Sequence, residues 1–332
     1  MRSLKRPQVA PPTLTNIQTP AAELNQKSAS QFDSKKWNSP DVRGALLAMH
    51  GYACAYCQME ILDTTDVEHF RPKSKYPWLA YSFSNYLLSC VHCNQREKRD
   101  DFPLKKRCKP VRFERRGWLP HEKRLLLDPA CDPIEEWVEL EFRDQSFEWK
   151  AAASLQDEDI HKQVETSRIC FEWNTRLELI LERVRYLGDA MDTIQAAKDG
   201  DEQQILELHE MAVRYRKHGM AVRRMTERLA PELLPGESYE LCWLLTEFVK
   251  RLKKIAQKLP TLTPQEEKSR LKLTRQREEI YWALATVLVD PPIKDSPTVE
   301  KWLRNLTQEQ QLPQLLDELK EYRKALSDPN TS

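Results

Sequence analysis

Two cysteine pairs, Cys54-Ala-Tyr-Cys57 and Cys90-Val-His-Cys93, have 32 residues between them. Four thiolates in two such knuckles can close around one tetrahedral Zn²⁺, with Zn–S distances of about 2.3 Å. They fill the coordination shell, so His92, inside the second knuckle, reads as a loop residue and not as a ligand. Between the pairs lies Val67-Glu68-His69-Phe70-Arg71-Pro72, and directly after the last cysteine comes Asn94-Gln95-Arg96-Glu97-Lys98. A neutral imidazole can take a proton from water near neutral pH. An adjacent carboxylate and an amide oxygen suit a hard cation such as Mg²⁺ or Mn²⁺. The spacing thus predicts a closed sulfur site and, beside it, a second site of imidazole and oxygen donors.

Elements must position these groups. Residues 64–70 read as a strand that Pro72 terminates. Adjacent side chains on a strand point to opposite faces, so Glu68 and His69 can share one site only where the chain turns, which is where Arg71-Pro72 places them. Residues 41–50 read as a short helix entering the first knuckle. A small ββα element buries little apolar surface by itself. A structural Zn²⁺ can supply on the order of 10 kcal/mol of folding free energy.

The chain has 332 residues, 40% of them hydrophobic and 31% charged, which fits two or three domains. No apolar run approaches the length of a membrane span, and there is no secretory h-region. Eight cysteines are too few for a disulfide scaffold, and paired CxxC knuckles suit a reducing, cytoplasmic compartment. Cys108, Cys131, Cys170 and Cys242 read as buried or free structural thiols. The net charge is +1, but Lys and Arg outnumber Asp and Glu over residues 1–120 and the balance reverses over 121–332. A basic first part suits a polyanionic substrate.

The fold expectation is α+β and predominantly helical. Residues 1–40 are an extended arm with anchors at Leu4, Leu14, Ile17, Phe32 and Trp37. Residues 41–120 hold the knuckles and a basic connector. Residues 121–153 form a short β segment, with strands at 125–128, 136–142 and 146–150. Residues 154–332 are a helical interaction region, with helices near 201–229, 237–258, 264–290 and 297–327, the last opened by Ser296-Pro297. Leu177, Ile180, Val184, Leu187, Met191 and Ile194 form an a/d seam that packs inside this region.

Val67-Glu68-His69-Phe70-x-Pro72, followed by Asn85-Tyr86-Leu87-Leu88-Ser89-Cys90-x-x-Cys93-Asn94-x-x-x-Lys98, resembles the HNH endonuclease family of the zinc-stapled ββα-metal type over residues 45–105. The resemblance implies that Glu68 and Asn94 hold the catalytic Mg²⁺ or Mn²⁺. It implies that His69 is the general base and that Asn85 hydrogen-bonds and orients it. Asn94 stands where the family name has His, and Glu68 where Asp is commoner, making this an H-N-N variant. Arg71-Pro72-Lys73, Trp78-Leu79-Ala80-Tyr81, Phe102-Pro103-Leu104 and Leu126-Leu127-Asp128-Pro129 look like the HNH proteins of anti-phage Septu systems and their retron-associated relatives. Those proteins pair with an ABC-type, SMC-like ATPase, which makes the acidic helical region and the arm candidate docking surfaces.

The implied chemistry is phosphodiester hydrolysis, with water activated by His69. Arg71, Lys73, Lys75, Arg96, Lys98 and Arg99 would follow the phosphate backbone. Tyr76, Trp78 and Tyr81 could stack on bases, but read more simply as packing on the knuckle. DNA is the default substrate, and a structured RNA such as a tRNA stays open. The same residues could also build a zinc module that grips nucleic acid or protein without cutting. The intact set Glu68, His69, Asn85 and Asn94 favours the enzyme. A free-standing nuclease with its own recognition domain is disfavoured by the lack of basic or aromatic stripes beyond residue 125.

Overall fold

The computed structural model describes residues 1–332 except 62–64, 144–145, 290–296, 310–311, 313 and 328–332. Ser296, expected to cap the last helix, lies outside the described residues.

The N-terminal arm is extended chain interrupted by single helical turns: α1 (Pro12–Thr15), α2 (Ala21–Leu24) and α3 (Ser34–Trp37). Proline begins or precedes the first two, where its fixed φ suits a helix start. The Asp33 carboxylate caps α3 by accepting the Lys35 N–H at 2.9 Å. Leu4, Leu14, Leu24, Phe32 and Trp37 are buried, and Ile17 partly so. Backbone bonds tie the arm down: the Leu4 N–H reaches the Pro129 carbonyl, and the Thr13 N–H reaches the Asp41 carboxylate at 2.7 Å. The arm therefore lies against the folded chain along its length.

Helix α4 (Pro40–His50) opens with Ser39-Pro40 and carries nine buried residues in eleven. It packs on the longest helix, α11 (Glu267–Val289). Gly44 makes that crossing possible: a Cβ there would lie 2.3 Å from the Cβ of Trp282 and 2.6 Å from the Glu279 carbonyl oxygen. The nuclease-like segment is thus seated directly on the helical region.

Strands β1 (Thr65–His69) and β2 (Tyr86–Cys90) pair antiparallel, with Thr65 opposite Cys90 and His69 opposite Tyr86. Tyr86, Leu87 and Leu88 are fully buried, a continuous apolar run covered on both faces. Immediately after β2, residues His92–Lys98 wind as a π-helix, completing a ββα unit. The Arg99 N–H closes it on the Asn94 carbonyl at 2.8 Å. Such turns are rare and concentrate at functional sites.

Helical turn α5 (Ile134–Trp137) leads into the hairpin β3 (Val138–Arg143) and β4 (Ser146–Ala151), as the alternation predicts. The strand expected at 125–128 does not form. Leu126 and Leu127 are fully buried in irregular chain, held by a Ser167 hydroxyl that accepts the Leu127 N–H at 2.8 Å. The rest is helical: α6 (Glu158–Cys170), α7 (Leu177–Lys198), α8 (Glu202–Met211), α9 (Gly219–Leu229), α10 (Glu237–Lys258), α11, α12 (Pro297–Glu309) and α13 (Leu315–Ser327). The span expected as one helix over 201–229 breaks between α8 and α9, and that over 297–327 between α12 and α13.

The seam on α7 is shifted from the expected one. The buried line is Leu179, Arg183, Leu187, Ala190, Ile194 and Ala197, while Leu177 and Met191 stand 66% and 45% exposed. Arg183 takes a core position because its guanidinium donates to the Trp173 carbonyl at 2.6 Å and the Phe147 carbonyl at 2.9 Å. Apolar periodicity alone could not place a buried arginine.

Candidate active site and zinc centre

The two knuckles meet. The Sγ atoms of Cys54, Cys57, Cys90 and Cys93 all lie within 4.8 Å of one another. Cys54, Cys57 and Cys93 are buried, and backbone N–H groups already point at the sulfurs: Cys90 N–H to Cys54 Sγ at 3.3 Å, and Cys93 N–H to Cys90 Sγ at 3.4 Å. The Arg176 guanidinium lies 4.0 Å from Cys93 Sγ. Four converging sulfurs with N–H donors and a nearby cation fit a Zn²⁺ carrying four thiolates, whose complex is itself negative. The sequence could not show Arg176, which arrives from the start of α7 as its N-cap residue. His92 is not among these ligands. It begins the π-helix, and its Nε2 lies 3.1 Å from Glu172 and 3.3 Å from Glu97.

His69 closes β1 and is 7% exposed. Its Nε2 lies 3.0 Å from the Ala80 carbonyl oxygen. A carbonyl only accepts, so Nε2 carries the proton and Nδ1 keeps the lone pair. The ring is fixed edge-on between Trp37, with centroids 4.9 Å apart, and Tyr86, at 5.0 Å. Burial pushes its pKa down to about 3; the Ala80 bond opposes this, and Lys73 and Lys98 add to it. His69 is therefore neutral at physiological pH, the state a general base requires.

Glu68, 2% exposed, faces the π-helix. Its Oε1 meets the Lys98 ammonium at 2.6 Å and accepts from the Tyr56 hydroxyl at 3.4 Å. The same ammonium donates to the His69 carbonyl at 3.1 Å. Burial raises the Glu68 pKa and Lys98 counters it. Asn94 donates its Nδ2 to Asp66 at 3.2 Å. In this arrangement Glu68 Oε2 and Asn94 Oδ1 make no hydrogen bond to a described residue. These are hard oxygen donors on the residues the resemblance assigns to the cation, so the donor chemistry fits Mg²⁺ or Mn²⁺.

Asn85 acts one step away from the histidine ring. The resemblance implies a bond to His69, but Asn85 Oδ1 accepts the Arg71 N–H at 2.8 Å and its Nδ2 donates to the Arg71 carbonyl at 2.9 Å. Its own carbonyl accepts the Phe70 N–H at 2.9 Å. Asn85 thus locks the turn where β1 ends, and the Ala80 carbonyl holds the ring.

Two of the six expected phosphate-tracking cations are committed inside the protein. Lys98 is 0% exposed. Arg71 pairs with Glu122 at 2.8 Å and lies over the Phe70 and Phe102 rings. Lys75, Arg96 and Arg99 are exposed, and Lys73 is half-buried with its ammonium over Trp37 at 5.6 Å. The three aromatics pack, as the simpler reading has it. Tyr76 is fully buried and donates to Glu122 at 2.6 Å, Trp78 lies against Phe113, and Tyr81 accepts the Asp33 N–H at 2.8 Å. Sequence reasoning marked Trp37 only as an anchor; its place on His69 depends on the path of the arm, which no local pattern encodes.

Comparison with known proteins gives the same segment a family. Residues 54–100 match the family model for HNH endonuclease. The chain is 32% identical over 130 residues to the Septu protein PtuB of Bacillus mycoides (strain KBAB4), covering 35% of this chain and 43% of that protein. It is 36% identical over 104 residues to the Septu protein PtuB of Bacillus thuringiensis, covering 30% and 38%. It is also 37% identical over 59 residues to a retron Vc95 protein of Vibrio cholerae serotype O1 biovar El Tor whose name marks it as an HNH endonuclease, covering 17% and 29%. The chain thus spans less than half the length of these curated relatives. No solved structure matches it. By the family match, residues 54–100 of this chain are an HNH endonuclease domain.

Proposed function

We propose that the protein is a metal-dependent endonuclease that hydrolyses phosphodiester bonds of nucleic acid, DNA by default, as the effector of an anti-phage defence system. The observation that carries this reading is His69: a neutral imidazole, its Nε2 proton fixed on Ala80, at the strand end shared with Glu68. His69 Nδ1 accepts a proton from the attacking water, and Ala80 and Asn85 hold the base in place while it does so. Glu68 and Asn94 hold the divalent cation, and Lys98 fixes Glu68. When bound, that cation stabilises the charge that develops on the phosphate and on the leaving oxygen. Exposed Lys75, Arg96 and Arg99 retain the proposed role of phosphate contacts.

The test is cleavage by wild type beside His69→Ala, on plasmid, linear DNA and total RNA, with Mg²⁺, Mn²⁺ or no added metal. The expected result is metal-dependent cutting that falls by about 10²–10⁴ in the variant, with zinc content unchanged. Equal cutting by the two proteins would refute the mechanism. The cut substrate decides between DNA and an RNA such as a tRNA.

The ABC-type, SMC-like ATPase partner belongs to the same proposal. What supports a docking face in the helical region is exposed apolar surface: Leu177 and Leu181, one turn apart on α7, are 66% and 59% exposed, and Ile169 on α6 and Met191 on α7 are 66% and 45% exposed. Contiguous exposed apolar side chains mark protein contacts more often than solvated surface. Leu177→Asp with Leu181→Asp should abolish co-purification with the ATPase and leave zinc content unchanged. Undiminished co-purification would remove this face from the proposal. Among the described residues no helix is long and apolar enough to cross a membrane.

A further inference from the structure

A cleft of about 980 Å³ opens where the end of the arm, α4 and the first residue of β1 face α10 and α11. Lys35, Arg43, Arg251, Lys254, Lys272 and Arg275 line it. Against these six cations stand Glu278 and Glu279. Glu279 is shared by two guanidiniums, Arg43 at 2.7 Å and Arg275 at 3.1 Å, so one carboxylate answers two charges. Glu247 and Glu60 flank Arg251, at 2.7 Å and 3.6 Å, and its guanidinium lies 3.6 Å over the Tyr52 ring. The floor is apolar, from Leu47, Ile255 and Ile280.

The cleft adjoins the catalytic strand. Its lining includes Thr65, whose carbonyl accepts from Arg43 at 3.2 Å. His69 lies four positions after Thr65 along β1, about 13 Å of extended chain. Asn38, also in the lining, follows Trp37, whose ring touches His69. Along α11 the lining runs from Lys272 to Ile280, about 12 Å of helix axis. The cations come from four elements, Lys35 from the arm, Arg43 from α4, Arg251 and Lys254 from α10, and Lys272 and Arg275 from α11, a distribution that suits a backbone of successive phosphates better than a single polyphosphate group. A concave cleft with an apolar floor admits unpaired nucleotides; a duplex presents a convex, stacked surface with its bases inside. Guanidinium planes such as that of Arg251 are known stacking partners for unpaired bases.

We infer that this cleft holds a single-stranded stretch of nucleic acid flanking the phosphodiester presented to His69. The inference rests on the nuclease reading above and deepens it, because it draws the helical region into the substrate path. The net acidity of residues 121–332 concealed this: four of that region's cations, far apart in sequence, face the nuclease core from two helices.

The experiment is fluorescence anisotropy of labelled 15-nucleotide oligo-dT and oligo-U, and of a 15-base-pair DNA duplex, on the full chain carrying His69→Ala, without added Mg²⁺ or Mn²⁺. Titrations are repeated across a range of NaCl. The starting protein should bind the single strands more tightly than the duplex. Adding Lys35→Ala, Lys254→Ala and Lys272→Ala, all side chains at the surface, should weaken single-strand binding at least tenfold and flatten the slope of log K against log[salt] by about 2. Lys254→Glu alone should weaken binding in the same direction. Equal affinity with an unchanged slope in the triple variant would overturn the inference, as would preference for the duplex. Wild-type cleavage is read separately. If wild type cuts nothing but the triple variant loses single-strand binding, the cleft stands and the nuclease reading falls.

Discussion

Lys98 joins three functions in one ammonium group. It neutralises a buried carboxylate, anchors the backbone of His69, the proposed general base, and sits one turn along the π-helix from Asn94. Its sequence context, a run of basic residues after a cysteine knuckle, looks like a phosphate grip, and only burial reveals the different role. Removing one partner of a buried ion pair leaves the other charged and unpaired. Lys98→Met should therefore destabilise the fold by about 3–5 kcal/mol, measured by urea denaturation. A loss below 1 kcal/mol would mean that Glu68 finds another way to be solvated. Arg96→Ala, at an exposed position, should leave stability within about 0.5 kcal/mol of wild type.

His50 gives a second residue-scale prediction, on pH. It lies fully buried at the end of α4, where its Nε2 accepts the Leu88 N–H at 3.2 Å. Burial holds its pKa well below the ordinary 6.5, and Arg2 and Arg6 push the same way. The folded protein thus refuses a proton that the unfolded chain accepts. The stabilisation from a neutral His50 is complete above pH 6.5 and is lost progressively below it. In His50→Gln the fall of stability between pH 7 and pH 5 should be shallower, by up to about 1.4 kcal/mol per pH unit. Parallel curves for the two proteins would remove His50 from the acid response.

At the scale of elements, one strand pair links the two sites. The register sets Thr65 opposite Cys90 of the four-cysteine cluster and His69 opposite Tyr86, so a Zn²⁺ held by those sulfurs would fix the far end of the strand that carries His69. Cys90→Ser should lower zinc content and melting temperature together, checked by elemental analysis and calorimetry. Unchanged zinc would contradict the centre. Much of this unit was legible in the chain: the CxxC spacing brings the sulfurs together, Pro72 ends the strand, and Asn94 follows the second knuckle. Two features were not legible. A π-helix has no distinct residue signature, since it differs from an α-helix by one inserted position. The hold of Ala80 on His69 uses a backbone carbonyl, which any residue at that position supplies. The apolar pattern of α7 likewise misled by one step, because a buried arginine stood in its core line.

At the scale of the whole molecule, the arm, the ββα unit and the helices share one buried cluster. The arm was readable as anchored chain but its route was not, because contacts such as Leu4 to Pro129 and Trp37 to His69 join residues far apart in sequence. One close joint between distant parts of the chain is Gly44 on α4 against α11. Adding a methyl group there must push the two helices apart, and overpacking of this kind costs about 1–3 kcal/mol. Gly44→Ala should lower the unfolding midpoint accordingly, and a neutral outcome would mean that the crossing has slack.

That joint bears on how this protein could be reused or could have arisen. The segment that matches the HNH family is short, and an engineer would be tempted to lift it out as a portable cutting cassette. Yet the helix that leads into its first knuckle packs against a helix more than two hundred residues downstream, and its histidine, His69, is roofed by an indole from the preceding arm. Cut free, the cassette would keep its four cysteines and its motif but lose both the roof and the floor. Grafting onto a new host therefore has to carry the arm and α11 along, or supply apolar surfaces of the same shape.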